Sequence, residues 1–204
     1  SSLNDFWIDL GLSQKDISIS MQTLESFNVK KIDSLTARRS FIREPIEIDL
    51  KIEGINPIIL KIPNHPENLV EGHREWIIDE NNCKIYIEKQ DVEKSDKIRL
   101  KDFASIKINK KNGNIESMDI IDKRPIVHWL PKNNSRDAIL YIPSEKDVLI
   151  QEGLLEMKDI SEGMICQLER VGFAKIEKIP NPKEFQYWET SVEIKKYLRS
   201  NNRG

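Results

Sequence analysis

Cysteine, histidine and glycine are scarce in this chain, at 2, 3 and 8 of 204 residues. Cys83 and Cys166 lie far apart and in no metal-ligand spacing. A disulfide framework is therefore not expected, and both read as small buried apolar residues in a reducing, cytoplasmic setting. Of the histidines, His65 sits between prolines in PNHP and reads as a loop-packing residue. His128 stands in a strand beside Trp129. Neither pattern points to a metal site, and none is expected. The glycines form no phosphate-cradling loop, and GxSxG, HExxH and Cys-x-x-Cys are all missing, so no catalytic residue can be nominated. No apolar run approaches the roughly 20 residues of a membrane span. No targeting segment opens the chain, which begins SSLNDFW without a methionine and so reads as part of a longer protein.

Charge is abundant. Charged residues make up 32% of the chain, 32 basic against 34 acidic, for a net charge of −2. That balance argues mildly against a nucleic-acid binder, which is often basic overall. The cations nonetheless cluster, as Lys30, Lys31, Arg38 and Arg39, and again as Lys97, Arg99, Lys101, Lys107, Lys110 and Lys111. A solvated surface explains such clusters about as well as a ligand does. Two features favour a ligand. Arg38 and Arg39 fall at a helix-to-strand junction. Arg99 and Lys101 alternate with Ile98 and Leu100, which predicts that both protrude from one face of a strand, suited to phosphates or base edges.

Apolar spacing predicts two short N-terminal helices, roughly 3–10 and 14–27. From about residue 36 the period changes to two. IEIDLKIE (46–53) alternates with Ile46, Ile48, Leu50 and Ile52 inward, and Pro45 suits a strand's first position. DENN reads as a turn, and Asn112-Gly113 as the tip of a hairpin. Many short strands separated by turn residues predict a mainly β sandwich or barrel. The tail, 183–204, has Val192, Lys195, Lys196 and Leu198 at helical spacing.

Several stretches resemble, in order, the anticodon-binding region of glutaminyl-tRNA synthetases and of archaeal-type glutamyl-tRNA synthetases. LNDFWIDLGLSQKDISIS is similar to the segment after that family's catalytic core. KKIDSLTARRSFIREPIEI resembles its "KxIDPxAxRxxxVxxP" run, IPNHPEN its PNHP loop, KIRLKDFASIKI its "xVRLxDxxxIKI" strand and IVHWLP its "xIHWV" strand. QEGLLE and EGMICQLERVGFAKIE resemble its closing pieces. The likeness runs from about residue 3 to 180.

The resemblance implies two β-barrels, the distal inserted in the proximal, preceded by short helices. It places a helical segment at 1–33, the proximal barrel at 34–94 plus 154–182, the distal barrel at 95–153 and a tail at 183–204. It implies that Arg99 and Lys101 contact the first anticodon base and its phosphates and that Arg38 and Gln151 lie at the middle base. Arg39, as a phosphate contact, and Lys97, from the second cationic cluster, are also expected among the anticodon-binding residues. The family's HIGH and KMSKS signatures are missing from this sequence. ATP and magnesium are thus expected only for a catalytic domain of the parent ligase, and no cofactor for this region. The implied partner is tRNA(Glu), with tRNA(Gln) left open, and neither DNA nor membrane. DVEKSD stands where glutaminyl enzymes carry a cationic Gln-x-Lys-Arg segment, which favours glutamate. A glutaminyl enzyme and a free-standing RNA-binding barrel are the alternatives.

Overall fold

The computed structural model describes residues 32–34, 36–52, 57–143, 147–180 and 192–196. The predicted helices at 3–10 and 14–27 lie outside them. The chain is mainly β. Its strands are β1 (Ala37–Arg39), β2 (Phe41–Arg43), β3 (Pro45–Lys51), β4 (Ile58–Pro63), β5 (His73–Ile78), β6 (Lys84–Glu88), β7 (Lys97–Leu100), β8 (Ser105–Asn109), β9 (Asn112–Ser117), β10 (Ile126–Val127), β11 (Trp129–Pro131), β12 (Ser135–Pro143), β13 (Val148–Glu156), β14 (Ile165–Leu168), β15 (Gly172–Lys178) and β16 (Val192–Lys196). A short helix, α1 (Lys89–Lys94), follows β6.

Two seven-stranded sheets dominate, ordered β1-β14-β15-β16-β12-β13-β2 and β10-β7-β8-β9-β3-β6-β11. A β4–β5 ribbon lies beside them. Each large sheet begins and ends on strands that are consecutive in the chain. Only Ser40 separates β1 from β2, and only His128 separates β10 from β11. A single-residue break thus carries the chain from one edge of each sheet to the other, which makes both nearly closed barrels and leaves little open edge.

The second barrel is inserted in the first. The chain leaves the first at Glu44, a non-glycine residue with φ 42°, and returns to it at β12. The ladders divide the chain at other points than the expected boundaries. β3 and β6, expected in the proximal barrel, pair with each other and, through β9, with 97–117. β12 and most of β13, expected in the distal barrel, pair with β2 and β16. Val192–Lys196 is not helical, because its backbone fills the gap between β12 and β15.

Two cores result, and β2 and β13 form the wall between them. Ile42 and Leu154 are cross-strand partners facing one core, while Phe41 and Leu155, the next pair, face the other. Strand alternation thus serves both barrels at once. Gly153 sits in this wall because a Cβ there would lie 2.6 Å from the Ile42 carbonyl oxygen and 2.7 Å from Phe41 Cζ.

The hairpin is real, but its tip is Lys110–Lys111, two residues earlier than expected. Asn109 pairs with Asn112, and Lys110 takes the positive φ, 57°. Gly113 lies in β9, where a Cβ would meet Leu50 at 2.9 Å and Ile48 at 3.0 Å. Its role is close packing, not turn geometry. DENN is a turn as expected, with Asp79 Oδ1 accepting from the backbone N–H groups of Asn81 and Asn82.

Candidate nucleic-acid interface

Arg38 and Arg39 alternate across β1, and their surroundings differ. The Arg38 side chain is 15% exposed and its Nη2 donates to Asp33 Oδ1 at 2.9 Å. The segment carrying Asp33 is held by the PNHP loop. The backbone N–H groups of Glu67 and Asn68 donate to His65 Nδ1, so the ring proton is on Nε2, which donates to the Asp33 carbonyl at 2.9 Å. His65 is therefore a buried loop-packing residue, as expected. Arg39 is 2% exposed and donates to the carbonyls of Arg38 and Lys158 and to Asn64 Oδ1. Burial, aided by Arg74, pulls its pKa down. The expectation that Arg39 touches phosphate is corrected: its guanidinium is an internal clamp on three loops, out of reach of a surface ligand.

Arg99 and Lys101 do not share one free face. Arg99 donates to Ser105 Oγ and to the carbonyls of Met118 and Asp119, bracing the loop after β9. Lys101 lies beyond the end of β7, where Asp102 has φ 58° and the chain turns. Its Nζ pairs with Glu169, on the other barrel. The turn following Leu100 breaks the period-two relation that the sequence pattern assumed. Lys97 is exposed and stands opposite Lys107. Gln151, on β13, lines a cleft of about 670 Å³ at the Glu44 crossover, together with Pro45, Asp137 and Glu152. A smaller adjoining recess brings Gln151 beside Arg43, Glu88 and Gln90.

Behind that recess is a cluster that sequence reasoning missed. Glu88, Asp91 and His128 are buried, with ligand-type atoms within 4.8 Å of one another. Two guanidinium groups already compensate the carboxylates. Arg43 Nε donates to Glu88 at 2.7 Å, and Arg170 Nη1 to Asp91 at 2.6 Å. Gln90 adds a bond to Glu88 at 2.6 Å. The arrangement is a paired ionic network joining the barrels, not a vacant ligand set. Asp91 belongs to the DVEKSD stretch and is used inside the protein. No local pattern could reveal a partner 79 residues away at Arg170. Nor does cysteine chemistry enter, since burial pushes the Cys166 thiol up to about 12.

The network makes stability pH-dependent. Burial alone would raise the Glu88 pKa, but the bonds from Arg43 and Gln90 win and hold it at about 2. Burial, then Arg170, depresses His128. A depressed histidine lets the unfolded chain take up a proton below about pH 6.5 that the folded one does not. Depressed Glu88 acts likewise between about pH 4.5 and 2. Thermal midpoints should therefore fall as pH drops below 6.5, and fall further below 4.5. In His128→Gln the limb between pH 6.5 and 5 should flatten. An unchanged limb in that variant would remove His128 from this account.

Residues 36–122 match the family model described as "tRNA synthetases class I (E and Q), anti-codon binding domain". The matched stretch includes the residues that build the crossover at Glu44 and most of the inserted barrel. Similar over nearly the whole chain are the glutamate–tRNA ligases of Pyrococcus furiosus (30% identity over 194 residues, 89% of this chain) and Methanosarcina acetivorans (30% over 198 residues, 92%). That of Korarchaeum cryptofilum is 29% identical over 185 residues, 85% of this chain. The chain spans about a third of the length of these relatives: 33%, 33% and 32%. Among the described residues, no helix is long and apolar enough to cross a membrane.

Proposed function

We propose that this chain is the tRNA-recognising part of a glutamate–tRNA ligase, acting in the cytoplasm on tRNA(Glu). The observation that carries this reading is the alignment of archaeal glutamate–tRNA ligases over about nine-tenths of the chain. The parent enzyme would form glutamyl-adenylate from ATP with magnesium and esterify the tRNA's terminal adenosine. This region would select and position the tRNA. The Glu44 crossover is a reasonable base-reading centre, because Gln151 and Gln90 offer amides there and Arg43 a guanidinium. Arg38, Arg99 and Lys101 are braced by Asp33, by backbone carbonyls and by Glu169. Braced side chains lose little entropy on binding, which suits pre-organised readers.

Arg38 provides the test. If it reads the middle anticodon base, Arg38→Ala should cost about 1–3 kcal/mol with the correct base, the range for a bidentate base contact. The cost should shrink for a tRNA transcript with that base replaced, so discrimination is lost. Titrating both transcripts at one salt concentration measures this. Equal weakening of both, with a lowered thermal midpoint, would reduce Arg38 to a structural partner of Asp33.

A further inference from the structure

We infer that the outer face of the inserted barrel carries a track for an RNA phosphate backbone, formed by Lys97, Lys107, Asn114 and Lys51. Strand register puts these four side by side. Lys97 is opposite Lys107, Lys107 opposite Asn114, and Asn114 opposite Lys51. All four are exposed. They form one row across β7, β8, β9 and β3, three inter-strand steps or about 14 Å long. Lys110 and Lys111, at the tip of the β8–β9 hairpin, extend the same cationic end of the barrel.

Some lysines of this protein have carboxylate partners: Lys84 and Lys132 share Glu47, Lys89 meets Glu93, and Lys101 meets Glu169. Among the described residues no carboxylate pairs with Lys51, Lys97 or Lys107. Two lysines directly opposite on neighbouring strands repel each other and destabilise the sheet. A surface that holds such a pair uncompensated in a chain of net charge −2 is complementary to a polyanion. Point charges in a row with an interleaved amide suit phosphates and ribose hydroxyls. They lack the rigid forks that read bases. The track therefore adds sequence-independent affinity beside the base-reading centre, and it rests on the tRNA reading above.

The test uses the 204-residue chain, an unmodified tRNA(Glu) transcript and the same transcript with its middle anticodon base replaced. Affinity is measured across a salt series. Lys51→Gln, Lys97→Gln and Lys107→Gln combined should lower the slope of log K against log salt by about 2, roughly 0.7 per cation. The loss should be equal for both transcripts. Lys107→Gln alone should weaken binding yet raise the thermal midpoint at low salt, because repulsion from Lys97 is relieved. A structural role would move both readouts downward together, and that result would overturn the track. An unchanged slope in the triple variant, with tight binding by the parent chain, would also overturn it while leaving the tRNA reading intact. Failure of the parent chain to bind either transcript would overturn both.

Discussion

Glu156→Ala should destabilise the protein by about 3–5 kcal/mol, the cost of removing one partner from a buried ion pair. Glu156 is 0% exposed and Arg74 2%. The carboxylate takes two bonds from Arg74, one from Trp76 Nε1 at 3.2 Å and one from the Ser40 N–H at 3.0 Å. Truncation strands all of these donors in a dry interior. Arg74 would retain only the Pro63 carbonyl and the face of Trp76. The same carboxylate ties the β4–β5 ribbon to β13 and to the Ser40 seam of the first barrel, so the loss should spread through both. Urea unfolding followed by tryptophan fluorescence measures it. Arg74→Met combined with Glu156→Leu should recover part of the loss, because no buried charge is then left uncompensated, although Trp76 Nε1, the Ser40 N–H and the Pro63 carbonyl each lose a partner. A loss below about 1 kcal/mol in Glu156→Ala would mean that water reaches Arg74 and that the pair is not sealed.

Trp129→Ala should cost a similar amount, about 3–5 kcal/mol, through a different mechanism. Trp129 is 1% exposed and meets Trp76 edge-on at 5.0 Å and Phe103 stacked at 5.3 Å. Its Nε1 donates to the Lys101 carbonyl at 2.9 Å. Alanine leaves a large cavity at the closing seam of the inserted barrel, next to His128. Trp129→Phe keeps most of the apolar volume and loses the bond, so it should cost nearer 1–2 kcal/mol. Because that bond anchors the turn at Lys101, it should also loosen the Lys101–Glu169 pair. If the two variants were equally destabilised, the hydrogen bond rather than the packing would carry the stability of this seam.

Much of the architecture was legible in local pattern. β5 reads HREWII, and the structure buries Arg74, Trp76 and Ile78 while exposing His73, Glu75 and Ile77. Alternation could say that Arg74 points inward but not what meets it, since Glu156 lies 82 residues away. The same limit explains the site. Arg38 and Arg39 are neighbours in sequence, and only packing shows that Arg39 is the enclosed one. Arg99 and Lys101 looked equivalent because their pattern ignored the turn after Leu100. Asn112-Gly113 misled because glycine serves two purposes, positive φ and close approach, and its neighbours across the sheet decide which.

By itself the sequence determined the period-two pattern, the mainly β class, the inward faces of β3 and β7, and the family likeness, because each of these is written in neighbouring residues. Only the tertiary structure decided which strands share a barrel, where the chain crosses between them, that Val192–Lys196 is a strand, and which cations are paired and which are free. Strand pairing and ion pairing are long-range choices. A backbone or a charge takes the partner that the whole fold brings within reach, and that partner is rarely its neighbour in the chain.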